Sequence, residues 1–248
     1  MAELRNEMEF INYAHRGASE YAPENTMASF ALGCEMKANG VETDVQRTKD
    51  GVLVLFHDND LMRICGRPEA IHDLTYQELL RLDFGIHKGA RYKGEPIPKL
   101  EDFLRRFSTG YQYFAIEIKE VGVEDETLGL IRRYGCYDRT IITSGIWQAL
   151  LTVHALDSEM KLGYLAKFLT PELLVAAKAN GIFQICPKAS VLDEKWNSIL
   201  RSEGFSVRAW GIDCEDTMKR MLDLQVDGMT INFPDVLVRA LETNRSDG

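Results

Sequence analysis

The 248-residue chain is 45% hydrophobic and carries a formal net charge of −9, with a pI near 5.2. An acidic surface argues against a nucleic-acid partner, and no apolar run is long enough for stable membrane insertion. The first residues, Met1 to Glu7, do not resemble a signal peptide, and the five cysteines lack CxxC spacing, as is typical of reduced thiols. We therefore expect a cytoplasmic protein, built as one (β/α)8 barrel or as two small domains.

The first part of the chain predicts a strand, a helix and a hairpin. A strand at 10–14 is followed by a helix with an apolar face in 27–34, and then by a second strand at 41–45. A further strand at 52–56 follows after a turn that is far too short for a parallel connection, so it must return antiparallel. This hairpin brings His57 alongside the 41–45 strand.

Residues 59–111 differ in character from the rest of the chain. They contain several glycines and prolines, a short predicted helix at 76–82 and a second one at 101–105. We interpret 59–111 as an insertion between barrel strands. Long inserted segments of this kind often cover active sites.

The remaining sequence alternates regularly between strands and helices. Helices are predicted at about 124–134, 147–156, 171–180, 190–202, 214–224 and 234–243, and strands at 113–118, 139–144, 161–165, 182–186, 206–211 and 228–232. With 10–14 and 41–45 these make eight strands joined by helical crossovers, which predicts a closed parallel (β/α)8 TIM barrel. Residues 1–248 are thus expected to form one barrel domain that contains the insertion.

Acidic side chains stand where buried strands normally carry apolar residues. Glu42 and Asp44 share one face of their strand because strand side chains alternate, and Glu117 and Lys119 share a face in the same way. Active sites of such barrels lie at the carboxyl ends of the strands, so these side chains converge. Three carboxylates without a cysteine or imidazole favour one hard divalent cation, Mg²⁺ or Ca²⁺. The alternative is three unrelated acids held in buried ion pairs.

Two histidines, His15 and His57, flank this acidic cluster in the predicted barrel. Imidazole titrates near neutral pH, so one ring can take a proton while the other gives one. That pairing suits displacement at phosphorus, in which a nucleophile is activated and a departing oxygen is protonated. The alternative is two histidines packed in the core.

Arg16 and Lys119 lie beside the acids and can each hold a phosphate oxygen. Their other role would be to neutralise neighbouring carboxylates, and the two roles are compatible. A phosphate approaching bare carboxylates would be repelled by roughly 4 kcal/mol per pair at 4 Å and an effective dielectric near 20. A divalent cation reverses that repulsion, so the reaction is expected to require one.

These residues resemble the motifs of the glycerophosphodiester phosphodiesterase family, in order and in spacing. The matching stretches cover nearly the whole chain: His15-Arg16-Gly17, Pro23-Glu24-Asn25-Thr26, Glu42-Thr43-Asp44-Val45, Asp50-Gly51, His57-Asp58, Leu74-Thr75, Leu79, Ile97-Pro98-Lys99-Leu100, Glu117-Ile118-Lys119, Ser144, Trp210 and Pro234. The resemblance implies a (β/α)8 barrel that hydrolyses glycerophosphodiesters to an alcohol and glycerol 3-phosphate with a divalent cation.

The resemblance also implies roles for individual residues. Glu42, Asp44 and Glu117 would be the metal ligands, His15 and His57 the general base and general acid, and Arg16, Lys119 and Trp210 the substrate-binding residues. Glu24 would lie at the rim and orient Arg16 or a ligand water, and Asn25 would help cap the first helix. The chain departs from the family pattern at Gly145, Gly211 and Asn232, in the wall expected to meet the alcohol or glycerol part.

Other functions remain open from the residues alone. A lysophospholipase-D-like or inositol-phosphodiester hydrolase would use the same chemistry on another substrate. An aldolase or isomerase barrel would use Lys119 as a Schiff-base amine, which needs a lowered pKa in an apolar setting. A barrel that only binds a ligand is a third interpretation. The expected partner is a small glycerophosphodiester, and the sequence leaves homo-oligomerisation open.

Overall fold

Eight parallel strands close into a barrel in the computed structural model, which describes residues 10–246. Together with one further, antiparallel strand, β3, they are β1 (Ile11–His15), β2 (Gly40–Arg47), β3 (Leu53–Leu55), β4 (Tyr113–Ile118), β5 (Thr140–Ser144), β6 (Leu162–Ala166), β7 (Gln184–Pro187), β8 (Ser206–Ile212) and β9 (Gly228–Ile231). The order β1-β9-β8-β7-β6-β5-β4-β2 is closed by pairing of β1 with β2. The predicted (β/α)8 barrel is therefore confirmed. Residues 1–7, on which the expectation about a signal peptide rests, lie outside the described residues.

Strand β3 is the antiparallel exception, and it forms the predicted hairpin with β2. Val45 pairs with Leu55 on one side and with Ile118 of β4 on the other. Since β1 pairs with β2 only as far as Glu42, β3 takes over the edge of β2 that β1 leaves. The hairpin thereby returns the chain after β3 to the level of Asp44, whose carbonyl accepts from the Phe56 amide at 3.1 Å.

Helices alternate with the barrel strands around its outside. They are α1 (Met27–Glu35), α2 (Met62–Cys65), α3 (Tyr76–Leu79), α4 (Leu100–Phe107), α5 (Glu124–Arg133), α6 (Trp147–Leu156), α7 (Pro171–Ala179), α8 (Glu194–Ser202), α9 (Glu215–Asp223) and α10 (Pro234–Ser246). The α8 helix begins four residues later than predicted because Asp193 is its N-cap and accepts a hydrogen bond from the Trp196 amide. None of the helices within 10–246 is long and apolar enough to cross a membrane.

An aromatic cluster ties the first helices to the barrel wall. The ring of Phe103 on α4 lies 4.5 Å from Phe30 on α1 and 6.2 Å from Phe114 on β4. The Tyr111 hydroxyl donates to the Phe30 carbonyl at 2.6 Å. These buried rings fix α1 against the strand that carries Glu117, so the loop before α1 is held over the same end of the barrel.

The segment between β3 and α4 has a hydrophobic cluster of its own, separate from the barrel core. Its buried members include Leu61, Ile64, Ile71, Leu79 and Phe84, on short helices and turns. In contrast, α4 packs in the main core. The 59–111 insertion as a structural unit stays a prediction, and its first half is the part with the separate cluster.

Candidate active site

Three carboxyl groups meet inside the barrel near the carboxyl ends of β2 and β4. Asp44 and Glu117 are paired directly across the two strands, and Glu42 lies two residues before Asp44 on the same face. One carboxylate oxygen from each lies within 4.8 Å of the other two. Within the described part of the chain, no other group of three Asp, Glu, His or Cys residues comes together in this way.

The pKa values of these acids differ because their neighbours differ. Burial, followed by repulsion from Asp44 and Glu117, raises the pKa of Glu42 well above its ordinary value. Burial and Asp44 raise the pKa of Glu117 to about 7. Burial would also raise the pKa of Asp44, but Arg16 and Lys119 beside it lower that pKa instead. Three such groups ionise together only if positive charge is supplied.

Two cations partly supply that charge. Lys119 Nζ lies 2.9 Å from a Glu117 oxygen and 3.6 Å from Asp44 Oδ1, and Arg16 Nε lies 3.3 Å from Asp44 Oδ2. Even so, neither Asp44 Oδ1 nor Arg16 Nε has a hydrogen-bond partner among the described residues, although both atoms are buried. A buried acceptor without a hydrogen bond, beside two further carboxylates, fits a divalent cation bound through oxygen. A buried guanidinium N–H without a hydrogen bond can donate to an anion.

Arg16 is held in place by its own backbone. It adopts φ of +54°, and its amide donates to the Glu42 carbonyl at 2.9 Å while its carbonyl accepts from the Asn25 amide at 3.0 Å. Gly17 follows with φ of +84°, and a Cβ there would lie 2.4 Å from the Ser29 backbone carbon. Only glycine fits this turn, which places Arg16 over the acids.

His15 is the last residue of β1 and lies beside Glu42. Its Nδ1 is 2.6 Å from Asn232 Oδ1, and its Nε2 is 3.9 Å from a Glu42 oxygen. An amide oxygen only accepts, so Nδ1 carries the hydrogen and Nε2 keeps its lone pair. Burial and the charge of Arg16 lower the pKa of His15 to about 3, which keeps the ring neutral.

His57 follows the β2–β3 hairpin and is oriented by its sequence neighbour. Its Nδ1 lies 2.7 Å from Asp58 Oδ1. Burial would raise the pKa of Asp58, but hydrogen bonds from Arg63 and His57 lower it, so Asp58 is an ionised acceptor. This contact uses Nδ1, so the other ring nitrogen, Nε2, is the one that can exchange a proton with a substrate.

Sequence reasoning missed several residues that complete the site. Asn25 does not cap the first helix; Thr26 does, and Asn25 Nδ2 instead donates to Asp44 Oδ2 at 2.8 Å. Asn232, noted only as a departure from the family pattern, is the partner of His15. Neither contact has a local sequence signal. Trp210 lies on β8, where its indole N–H donates to the Cys186 carbonyl at 2.8 Å, so it can offer a ligand only its ring.

Comparison with known proteins gives this geometry a context. The glycerophosphoryl diester phosphodiesterase family model matches residues 15–236. Glycerophosphodiester phosphodiesterases from Caldanaerobacter subterraneus subsp. tengcongensis and Bacillus altitudinis are 30% and 31% identical over 236 and 239 residues, each covering 93% of this chain and 97% of the relative.

A solved structure agrees with the sequence relatives. The Oleispira antarctica phosphodiesterase in complex with the product sn-glycerol-3-phosphate matches with a TM-score of 0.85 at 27% identity, covering 94% of this chain and 96% of that one. The family model spans every candidate site residue from His15 to Trp210. The chain therefore belongs to the glycerophosphoryl diester phosphodiesterase family of enzymes.

Proposed function

We propose that this protein hydrolyses glycerophosphodiesters to an alcohol and glycerol 3-phosphate, with one divalent cation and two histidines. The observation that carries the proposal is the convergence of Glu42, Asp44 and Glu117 within 4.8 Å of one another, between His15 and the hairpin that carries His57. Family membership and the product named for the Oleispira antarctica relative support the substrate class.

The three carboxylates are the groups that would hold the cation, and Mg²⁺ or Ca²⁺ suits an all-oxygen set. The raised pKa values of Glu42 and Glu117 and the absence of a hydrogen bond to Asp44 Oδ1 support this fit, since Lys119 and Arg16 only partly offset the charge of the three acids. When bound, a divalent cation supplies Lewis-acid stabilisation of the charge that develops on phosphoryl oxygens.

Arg16 and Lys119 would bind the phosphate. Arg16 Nε is buried and faces Asp44 Oδ2 at 3.3 Å without making a hydrogen bond, so an anionic oxygen that accepts from it completes its hydrogen bonding. Lys119 already touches Glu117 and lies near Asp44, and its ammonium can turn a further N–H toward the substrate. We further propose that Trp210 contributes its ring face to the substrate pocket.

His15 and His57 would carry out the proton transfers. Neutral His15 presents Nε2 as a base that takes the proton of the attacking oxygen, which belongs to water or to the neighbouring glycerol hydroxyl. His57 gives its Nε2 proton to the alcohol oxygen that leaves, and the Asp58 carboxylate is the counter-charge of its imidazolium form. Both routes of attack need the same pair.

A Schiff-base role for Lys119 needs a lowered pKa, but the pKa of Lys119 is raised. Burial would lower the Lys119 pKa, but Asp44 and Glu117 raise it. An ammonium stabilised in this way is a poor nucleophile. An ion-pairing and phosphate-binding role therefore fits Lys119 better than covalent catalysis.

A second substrate class has one observation in its favour. Val121, Ile146 and Phe168 are exposed apolar residues in the loops that follow β4, β5 and β6, and Phe168 is 75% exposed. Those loops leave the same, carboxyl end of the barrel strands at which Glu117 and the other site residues lie. A lysophospholipid, which has an acyl chain beside its phosphodiester, would use such a rim.

The test is a panel of glycerophosphocholine, glycerophosphoinositol and lysophosphatidylcholine, with release of the alcohol as the readout. Each substrate is assayed in chelator and again after Mg²⁺ or Ca²⁺ is added. We expect turnover of a glycerophosphodiester that is lost in chelator and restored by the cation. Full activity in chelator would contradict the metal role, and no turnover of any substrate would contradict the activity. Glu42→Gln, which removes one proposed ligand, should lose the activity that the cation restores, and Glu203→Gln, at an exposed ion pair, should keep it.

A further inference from the structure

We infer that Arg63 is a positioning residue that joins the phosphate-binding arginine and the acid–base histidine into one rigid unit. Arg63 lies on α2, in the segment between β3 and α4, and the reaction needs no contact between it and the substrate. The inference rests on the proposed function, because it assigns Arg63 a role in that reaction.

One guanidinium holds two carboxylates at the same time. Arg63 Nη1 and Nη2 donate to the two oxygens of Glu24 at 2.6 and 2.7 Å, and Nε donates to Asp58 Oδ2 at 2.7 Å. Three N–H groups of a planar fork are thereby committed to fixed directions. Arginine can bridge two acids in this way because its donors are rigidly arranged.

Each of the two carboxylates has a second partner inside the site. Glu24 Oε1 also accepts from Arg16 Nη1 at 2.7 Å, and the other oxygen of Asp58 lies 2.7 Å from His57 Nδ1. A continuous chain of hydrogen bonds therefore runs from Arg16 through Glu24, Arg63 and Asp58 to His57. Its two ends are the residues proposed to bind the phosphate and to protonate the leaving oxygen.

The backbone of Arg63 is anchored from both sides. Leu61 and Ile64 are buried in the separate hydrophobic cluster, and Asp60 Oδ1 accepts from the Met62 amide at 2.9 Å. Arg63 itself is 49% exposed. The short helix thus holds the guanidinium in a fixed position, where it contacts Glu24 and Asp58.

The contacts of Arg63 should matter more for the positions of the catalytic groups than for the stability of the fold. The guanidinium is half exposed, and its two carboxylate partners, which are 17% and 22% exposed, keep Arg16 and His57 as second partners, so removing Arg63 should leave the barrel folded. Glu24 and Asp58 would each keep a single charged partner and could rotate. Small displacements of catalytic groups cost about a hundredfold in rate, so the loss should appear in activity.

The experiment compares Arg63→Ala with Arg67→Ala in glycerophosphocholine hydrolysis. Arg67 lies four residues further on and is 45% exposed, and its one ion-pair partner among the described residues is its near neighbour Glu69. We expect kcat/KM to fall about a hundredfold for Arg63→Ala, with both kcat and KM affected, and to stay within twofold of the unmodified protein for Arg67→Ala. Both melting temperatures should shift by no more than about 4 °C.

Two further measurements separate positioning from a general structural effect. Arg63→Lys should recover only a small part of the loss, because an ammonium cannot span both carboxylates with a planar fork. Millimolar guanidinium should raise the activity of Arg63→Ala, while the same concentration of methylammonium should not. This rescue remains readable even if the variant is less stable.

The outcomes keep this inference apart from the proposed function. An unmodified protein that hydrolyses glycerophosphocholine, together with an Arg63→Ala variant as active as Arg67→Ala, would overturn the role of Arg63 alone. A loss of activity in Arg63→Ala that guanidinium does not partly restore would overturn it as well. An unmodified protein without any turnover would instead overturn the proposed function itself.

Discussion

Glu42, Asp44 and Glu117 occupy one small buried volume, yet their ionisation differs with what each of them touches. Asp44 lies between Arg16 and Lys119, and its pKa is lowered. Glu117 has Lys119 as its cationic contact, but burial and the charge of Asp44 raise its pKa to about 7. A divalent cation would remove this imbalance, because it favours the ionised form of all three acids.

Cation binding should therefore release protons at mildly acid pH. Below pH 7 the Glu117 carboxyl holds a proton that a divalent cation must displace, so affinity should rise with pH up to about 7. Calorimetric titration with Mg²⁺ or Ca²⁺ at pH 6 and pH 8, each in two buffers of different ionisation enthalpy, measures the protons released. We expect more release and weaker binding at pH 6. Equal affinity with no proton release at either pH would contradict this.

Stability should follow the same linkage with a defined sign. Without a cation, the raised pKa of Glu117 favours its protonated form, so its contribution to folding is full below its ordinary value of 4.5 and is lost as pH rises toward 7. His15 has the opposite sign between pH 3 and 6.5, because its pKa is lowered. The measurement is the rise in melting temperature on adding the cation, because the contribution of His15 is present with and without the cation and cancels in the difference. This rise should become larger as pH increases.

Removing either proposed catalytic imidazole should abolish most turnover. His15→Ala and His57→Ala are each expected to lower kcat by about 10²–10⁴-fold, the usual contribution of a general acid or base. Neither ring is in the hydrophobic core, so the melting temperature should change little. His72→Ala, at a 68% exposed ring, is the matched control. Turnover within a few-fold of the unmodified protein for both variants would exclude the pair.

At the scale of elements, the turn between β1 and α1 fixes the relation of Arg16 to the acids. The Ser29 hydroxyl donates to the Arg16 carbonyl at 2.8 Å, and the Ala18 amide donates to the Ser29 carbonyl at 2.9 Å. Gly17 lies against this same residue. The helix start and the strand end therefore interlock through one tight turn, with no room for a side chain.

Gly17→Ala should be more harmful than an alanine at another left-handed glycine. Gly135 has φ of +66° and open space around it, so Gly135→Ala should cost only the conformational term of about 1–2 kcal/mol. Gly17→Ala adds a backbone collision and should cost more, with a drop in kcat/KM because Arg16 moves. Urea unfolding and the glycerophosphocholine assay measure the two effects. Equal losses of unfolding free energy and of kcat/KM in the two variants would show that the close contact of Gly17 with Ser29 does not matter.

At the scale of the whole molecule, the parallel crossovers and the hairpin were predictable because they follow from local patterns. Strand alternation placed Glu42, Asp44 and Glu117 on inward faces, and a turn too short for a crossover required β3 to run antiparallel. The rest depends on closure of the barrel, which brings together side chains far apart in the chain. His15 meets Asn232 across 217 residues and Arg63 meets Glu24 across 39, and no periodicity or spacing marks either pair.

Strand pairing within the closed barrel sets the geometry of the acidic cluster. Register places Asp44 opposite Glu117 and His15 opposite Glu42, so pairing of β2 with β4 brings the acids together and pairing of β1 with β2 brings His15 to them. The cationic neighbours Arg16 and Lys119 do not fully satisfy them, since Asp44 Oδ1 has no hydrogen-bond partner among the described residues. The carboxylate oxygens of the three acids are therefore available to bind a cation.

The most direct test is diffraction from crystals soaked in Ca²⁺, with the anomalous signal used to place the ion. We predict a single peak bounded by oxygens of Glu42, Asp44 and Glu117, at the roughly 2.3–2.6 Å typical of calcium ligation. A map in which those carboxylates contact only Arg16 and Lys119, with no ion between them at saturating Ca²⁺, would contradict the account.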